Sequence, residues 1–307
     1  MMTNYPYPDQ PGYFHLLSDG ELTPNFICDE EHDFPVAFNL IGVCAANTDV
    51  TILSYSIENT HLHILAYGTK ENCVRFKIMY EESWAHHIGR VRGTRKKAAI
   101  EIEILRVDTE EYLLNVGTYT ITQPTKDGKQ VMPYDYRWGT GSLYFRSKDH
   151  RSLWCRDISG RPIPTVLAGD MSERARRVLL CSYHPIPPHW ILCNGILLPE
   201  NYVDIDHFEQ IYRTANRYRV FLASNSNRDQ FVQAKIAMAR GIRLDDAEAR
   251  EKCRAITQEL FGVKDIRRLN ALQRITVAQR LRKVWHLNAR QIASVVRLPY
   301  SEVCKYI

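Results

Sequence analysis

Residues 56–68, "SIENTHLHILAYG", join the end of one β-prone run to a second one across a short polar turn. Successive side chains of a strand point to opposite faces, so His61 and His63 share one side while Leu62 and Ile64 enter the core. Two imidazoles on one side of a strand can bind a single divalent metal ion. An incidental pair of surface histidines is the alternative, so a metal site needs support from a second element.

The runs around this stretch alternate between strand and helix patterns. "GYFHLL", "TDVTILSYSI" and "AAIEIEILRV" are β-prone, whereas "DFPVAFNLIGVCAAN" and "CVRFKIMYEESWAHHIGR" have helical apolar spacing. The predicted order up to about residue 123 is β, α, β, turn, β, α, β, α, which indicates an α+β fold with a central antiparallel sheet. Asp108 or Thr109 is expected to cap the helix "EEYLLNVGTYTITQ", and Pro124 to end it because proline has no amide hydrogen.

Three segments are expected along the chain. Residues 1–150 form the mixed domain, and residues 151–230 form a Pro/Gly-rich irregular connection with a helix, as in "YHPIPPHWILCNGILLPENY". Residues 231–307 have helical patterns throughout.

Charge and composition restrict the function. The segment from residue 231 to the end has 16 Lys and Arg against 7 Asp and Glu, which favours a polyanion partner such as nucleic acid, with a solvated helical face as the alternative. The eight cysteines include no Cys-x-x-Cys pair, and there is neither a signal-peptide pattern nor a run of about 18 apolar residues. A cytoplasmic location away from membranes is expected.

Tyr119 and Gln123 supply the second element that the histidine pair requires. They are four residues apart in the predicted helix, so a phenol and an amide oxygen share one face. A packed aromatic and a polar residue at a helix end are the alternative. Together with the histidines, the amide oxygen can hold a metal ion that polarises a phosphodiester. The phenol can then attack the phosphorus.

Two ordered motifs carry a resemblance to a known family. The run from residue 13 to 68, and the later "GTYTITQ" followed by "PYDYRWGTGSLYF", resemble the REP-associated tyrosine transposases, single-tyrosine enzymes of the His-hydrophobic-His (HUH) nuclease superfamily. The resemblance covers residues 13–145. It implies a ferredoxin-like or RRM-like sheet with His61, His63 and Gln123 as metal ligands and Tyr119 as the nucleophile. The sequence departs from the family pattern at Thr60, Ile121, Gln123 and Gly139-Thr140.

The resemblance implies an enzyme that nicks and rejoins single-stranded or hairpin DNA through a 5′-phosphotyrosine intermediate. Mg²⁺ or Mn²⁺ is the implied cofactor, and family members act as monomers or as homodimers. Two alternatives remain open: a domesticated DNA-binding protein that no longer cuts, motivated by Thr60 and Ile121, and a phosphoesterase that uses water.

Two basic regions are candidate DNA contacts. Near the end of the second predicted helix the chain carries Arg90, Arg92, Arg95, Lys96 and Lys97, which can track phosphates beside the active site. The C-terminal run from residue 272 resembles a helix-turn-helix with Asn288 as a cap and with Arg290 and Arg297 as DNA-binding residues. An ordinary packed helical bundle is the alternative there.

Overall fold

A computed structural model describes residues 10–18, 28, 32–93, 100–126, 131–147, 154–157, 159–241 and 244–307. The chain divides into two compact units. Among the described residues, one unit lies within residues 10–232 and the other within residues 233–307.

The larger unit is built on a four-stranded antiparallel sheet. Its elements follow in the order β1 (Gly12–Ser18), α1 (Asp33–Thr48), β2 (Thr51–Ile57), β3 (Leu62–Gly68), α2 (Lys70–Arg92), β4 (Glu103–Val107) and α3 (Glu110–Lys126). The strands lie in the order β2-β3-β1-β4, and each neighbouring pair is antiparallel. The predicted α+β fold with a central antiparallel sheet is confirmed.

Helix α3 begins as the sequence predicts and ends later. The Thr109 hydroxyl accepts a hydrogen bond from the Tyr112 amide at 3.1 Å, which selects Thr109 of the two predicted caps. The helix continues through Pro124 to Lys126, so the expectation that Pro124 ends it is wrong. Pro124 lies in the last turn, where the missing amide removes only one backbone hydrogen bond, and the Thr125 hydroxyl donates to the Thr122 carbonyl at 2.7 Å.

The two faces of the sheet have different side chains. Strand pairing puts Leu16, Tyr55 and Ile64 on one face, and the ring of Phe38 from α1 packs edge-on against Tyr55 with centroids 5.4 Å apart. The opposite face carries His15, Ser54, Ser56, His63 and Leu65. Helix α3 covers this second face, because the hydroxyls of Ser54 and Thr120 are hydrogen-bonded at 2.7 Å.

Residues 133–145 line the outer edge of β2. The Tyr55 amide donates to the Thr140 hydroxyl at 3.0 Å, and the Thr140 amide donates to the Tyr55 carbonyl at the same distance. The Tyr136 and Tyr144 hydroxyls donate to the carbonyls of Ile57 and Leu53. This segment therefore satisfies backbone groups that an edge strand otherwise leaves open.

The segment expected to be an irregular connection contains regular structure. It includes a small antiparallel sheet of β5 (Thr165–Leu167), β6 (Ile191–Cys193) and β7 (Ile196–Leu197), with one helix between β5 and β6 and further helices after β7. The helices are α4 (Glu173–Leu180), α5 (Ile205–Tyr212), α6 (Ala215–Ala223) and α7 (Asn225–Arg240), and the division between the two units falls within α7. The domain boundaries at residues 150 and 230 stay a prediction.

The smaller unit consists of helices in its described part. These are α8 (Asp246–Phe261), α9 (Ala271–Trp285), α10 (Ala289–Val296) and α11 (Tyr300–Val303), with 3-10 turns. Val277, Leu281, Leu287 and Ile292 are among the residues of their common core. Asn288 caps α10 by accepting from the Gln291 amide at 2.8 Å, as predicted. Among all described residues, no helix combines the length and the apolar character needed to cross a membrane.

Candidate active site

His61 and His63 lie at the start of β3 with their rings nearly parallel. The ring centroids are 6.1 Å apart and the planes differ by 15°. His61 precedes the strand and is half-buried, and its Nδ1 is hydrogen-bonded to the Thr60 hydroxyl at 2.7 Å. That contact directs the Nε2 atom of His61 away from Thr60.

His63 is hydrogen-bonded to a third histidine that was not among the predicted site residues. The distance from His15 Nε2 to His63 Nδ1 is 3.1 Å, and His15 Nδ1 lies 3.4 Å from the Tyr112 hydroxyl. His15 is fully buried, and this burial lowers its pKa to about 3, so the imidazole is neutral at neutral pH. When His63 Nδ1 donates to His15 Nε2, the Nε2 atom of His63 carries the lone pair that a metal needs.

The strand pairing explains why His15 reaches His63. His63 lies opposite Leu17 of β1, and His15 lies opposite Leu65, so the two histidines are diagonal neighbours on one face. His15 stands within the predicted strand "GYFHLL", which gives the only local signal. Only the register of β1 against β3 shows that His15 belongs to the site.

Tyr119 of α3 lies directly against this histidine group. Its ring meets the His63 ring edge-on, with centroids 5.3 Å apart and an interplanar angle of 89°. Its centroid is 6.1 Å from that of His15. The Tyr119 and His63 side chains are each only 2% exposed. The structure thus brings His61, His63 and Tyr119 together beneath α3.

Gln123 lies one helical turn after Tyr119 and is also buried. Its side-chain Nε2 donates to the Tyr119 backbone carbonyl at 3.1 Å. Because the two ends of an amide group point in opposite directions, this hydrogen bond turns the Gln123 oxygen away from that carbonyl. The amide oxygen is the atom that the sequence predicts as a ligand.

The donor set is compatible with divalent metal ions. Imidazole nitrogens favour transition-metal ions, and the amide oxygen is a ligand that Mn²⁺ and Mg²⁺ accept. Thr60 and His15 hold the two imidazoles by their other nitrogens, as supporting residues of metal-binding histidines do. The residues present therefore fit a divalent ion.

A second group of possible ligands lies where α1 begins. His32, Asp33 and His87 place one ligand atom each within 4.8 Å of one another, and this group can hold a metal ion. It is distinct from the ligand set that the sequence predicts.

The predicted DNA-binding residues near the end of α2 are only partly described. Arg90 is exposed, and its guanidinium donates to the Cys181 sulfur at 2.9 Å. Arg92 lies at the last position of α2, and nothing is described of its side chain. Arg95, Lys96 and Lys97 lie outside the described residues.

The helical unit has a basic groove that includes one predicted residue. Arg290 and Arg297 are both exposed, and Arg297 lines a groove of about 880 Å³ between α8 and the end of α10. The other charged residues of its wall are Arg250, Arg254, Lys264, Asp265 and Arg267. Asp265 forms an ion pair with Arg267 at 2.8 Å. The remaining charged side chains of the groove are basic, so the groove has a net positive charge. The composition predicted a basic segment, and the packing of its helices gathers these side chains.

Comparisons with known proteins give one weak similarity. No family model and no curated protein matches this chain. The solved structure of a REP-associated tyrosine transposase bound to a REP hairpin aligns with 45% of this chain and 82% of its own. The identity is 13% and the TM-score is 0.31. A TM-score this low does not establish a shared fold.

Proposed function

We propose that this protein is a metal-dependent tyrosine transposase that cleaves and rejoins single-stranded or hairpin DNA. The observation that carries the proposal is the contact of Tyr119 with His63 of the histidine pair, whose ring centroids are 5.3 Å apart. A phenol beside two imidazoles that can bind a divalent ion is the combination needed for phosphodiester attack. The antiparallel strand order β2-β3-β1-β4 supports the proposal, because the resemblance implies a ferredoxin-like sheet.

His61, His63 and Gln123 are the residues proposed to hold the metal ion. The ion supplies charge stabilisation to the phosphate oxygens during the reaction. His15 acts as a positioning residue, because its hydrogen bond to His63 fixes the orientation of that imidazole.

Tyr119 is the proposed nucleophile. Its hydroxyl oxygen forms a bond to the phosphorus while the bond from phosphorus to the 3′ oxygen breaks, and the tyrosine proton is given up to solvent. The departing 3′ oxygen takes up a proton and becomes a hydroxyl group. Attack by a 3′-hydroxyl on the 5′-phosphotyrosine reverses these changes and rejoins the strands, so no ATP is required.

DNA needs access to a tyrosine that is 2% exposed. Access requires α3, or residues that cover it, to shift from the sheet when the strand binds. The Ser54–Thr120 hydrogen bond is one contact that such a shift breaks.

The basic surfaces are the proposed contacts to the DNA backbone. In the larger unit these are Arg90 and Arg92 with Arg95, Lys96 and Lys97; in the helical unit, they are Arg290, Arg297 and the basic groove. Lys and Arg side chains bind phosphates without regard to sequence, so they position the strand. We propose that such a protein acts in the cytoplasm, as a monomer or homodimer.

The test is incubation with labelled single-stranded hairpin DNAs and Mn²⁺, followed by denaturing electrophoresis. We expect a protein–DNA band that survives denaturation in the parent and is lost in Tyr119→Phe and His61→Ala. Tyr183→Phe is the control, since Tyr183 is an exposed tyrosine outside the site. Cleavage that persists in Tyr119→Phe without an adduct would identify water as the nucleophile and a phosphoesterase in place of a transposase.

A second candidate is a DNA-binding protein that no longer cuts. The burial of His63 and Tyr119 favours it, because a buried pair of this kind also serves as packing. Tight hairpin binding without any cleavage, unaffected by Tyr119→Phe, would support this candidate.

A further inference from the structure

The group at the start of α1 combines three side chains of two different helices. The Nε2 atom of His87 in α2 lies 2.7 Å from Asp33 Oδ1, and the Nε2 atom of His32 lies 3.6 Å from the same oxygen. His32 and Asp33 are adjacent in sequence, whereas His87 is 54 residues away from Asp33. All three ligand atoms therefore converge on one small volume.

Two side chains of this group are buried and the third is half-exposed. Asp33 is fully buried, His87 is 2% exposed, and the His32 side chain is 50% exposed. A carboxylate in a buried position is favoured by a nearby positive charge. The exposed side at His32 gives an ion access from solvent and leaves room for water.

The second nitrogen of His87 is also engaged. Cys181 Sγ lies 3.8 Å from His87 Nδ1, and the Arg90 guanidinium donates to the same sulfur. When His87 carries its proton on Nδ1, that proton is directed at the sulfur, and the lone pair of Nε2 faces Asp33 and His32. Metal-binding histidines are held through the other nitrogen in this manner.

We propose that His32, Asp33 and His87 form a second metal site, for a zinc-type transition-metal ion. Two imidazoles and one carboxylate match a zinc site with three protein ligands and a fourth position open to water. Imidazole ligands disfavour Mg²⁺ and Ca²⁺, which prefer sites made of oxygen. The site lies apart from the His61, His63 and Gln123 set and does not depend on the proposed function.

A bound ion requires the three ligand atoms, which lie within 4.8 Å of one another, to reach the spacing of a tetrahedral site. Ligand atoms around a tetrahedral zinc ion are about 3.3 Å apart, given bonds of about 2.0 Å. The His32–Asp33 distance of 3.6 Å is close to this value, and the His87–Asp33 distance of 2.7 Å has to lengthen slightly. The proton of His87 moves from Nε2 to Nδ1 when the ion binds, so no change in total charge of the imidazole is needed.

The experiment measures zinc bound to the full chain carrying His61→Ala, which disables the proposed catalytic metal set. After removal of metals with a chelator and dialysis against a small excess of zinc, we expect one tightly held equivalent. We expect His32→Gln to weaken this binding by at least about tenfold. Zinc should raise the melting temperature of the His61→Ala protein and not that of the chain with both changes.

His86→Gln is the matched control, since His86 is an exposed histidine beside His87 on the same helix. It should keep the equivalent of zinc. His32 is half-exposed, so its replacement leaves the fold intact, which circular dichroism checks. The proposal is overturned when the parent holds no zinc, or when His32→Gln and Asp33→Asn both bind as tightly as the parent. In that case the arrangement is a hydrogen bond from His87 to Asp33 without an ion.

Discussion

Both faces of the four-stranded sheet are buried, but the buried side chains on the two faces differ in polarity. Leu16, Tyr55 and Ile64 on the face toward α1 are fully buried and mainly apolar. His15 and Ser54 on the face toward α3 are also fully buried, and both are polar. One sheet thus has a mainly apolar interior on one side and, on the other, buried hydrogen-bonded polar groups among apolar residues such as Leu17 and Leu65.

This difference separates stability from chemistry. Burial of apolar side chains is favourable without any partner, whereas a buried polar group costs free energy unless a hydrogen bond compensates it. His15, His63 and Tyr112 form such a compensating series on the α3 face. We infer that the α1 face supplies stability and that the α3 face is kept polar for its reactivity.

The largest expected effect is found by comparing variants of His63 and Ile64, neighbouring residues of β3 that point to opposite faces of the sheet. We expect Ile64→Ala to lower the free energy of unfolding by about 2–5 kcal/mol, because it leaves a cavity in the apolar core. His63→Leu leaves the buried His15 Nε2 atom without its hydrogen-bond partner, so it should cost about 1–3 kcal/mol, and it should lower DNA cleavage by at least about a hundredfold. Urea unfolding and the denaturing electrophoresis assay measure the two quantities.

The cleavage rate of both variants is divided by the fraction of protein that is folded. Cleavage by Ile64→Ala, expressed per folded molecule, should stay near that of the parent. The expected difference between the two faces is contradicted when His63→Leu cleaves as the parent does, or when Ile64→Ala, per folded molecule, loses as much cleavage as His63→Leu.

The α1 face was more predictable from the sequence than the α3 face. Alternation in residues 62–64 and helical spacing in residues 33–47 indicate which side chains enter the apolar core. The His-x-His pattern indicates a strand with one polar face, and it does not reveal that α3 buries this face. Burial of His63 depends on contacts with Tyr119, which lies 56 residues further along the chain.

Long-range pairing limits what the sequence can predict about the sites. His15 joins His63 only through the register of β1 and β3, and Asp33 meets His87 only because α1 packs on α2. Neither contact leaves a pattern within a short window. Local signals did succeed where the physics is local, as with the caps at Thr109 and Asn288.

The second prediction uses the pH dependence of the polar face. The pKa of His15 is lowered from 6.5 to about 3 by burial in the folded protein. Between these values the unfolded chain binds a proton that the folded chain does not. The contribution of neutral His15 is therefore complete above pH 6.5 and is lost as the pH falls, by about 1.4 kcal/mol per pH unit.

Unfolding of metal-free protein in urea at pH 7.0 and pH 4.5 measures this slope. We expect a loss of roughly 2–3 kcal/mol from His15 between the two pH values. In His15→Leu, the loss of unfolding free energy between the two pH values should be smaller by that amount. His86→Gln changes an exposed histidine, and its loss of unfolding free energy should equal that of the parent. Equal slopes for His15→Leu and the parent would mean that His15 is protonated in the folded state.

The smallest expected effect concerns the hydrogen bond that joins β2 to α3. The Thr120 hydroxyl donates to the Gly117 carbonyl at 2.9 Å, so it accepts from Ser54 at 2.7 Å. Ser54→Ala removes this donor and leaves the donor of Thr120 satisfied, so we expect a loss of about 1 kcal/mol in unfolding free energy.

Cleavage should respond in the opposite direction to stability. If DNA reaches Tyr119 by a shift of α3, Ser54→Ala weakens a contact that opposes this shift, and the cleavage rate should rise or stay unchanged. Thr120→Ala alone and the double variant complete a cycle that isolates the energy of this contact. A large fall in cleavage with Ser54→Ala would mean that the closed arrangement of α3 on the sheet is itself the reactive one.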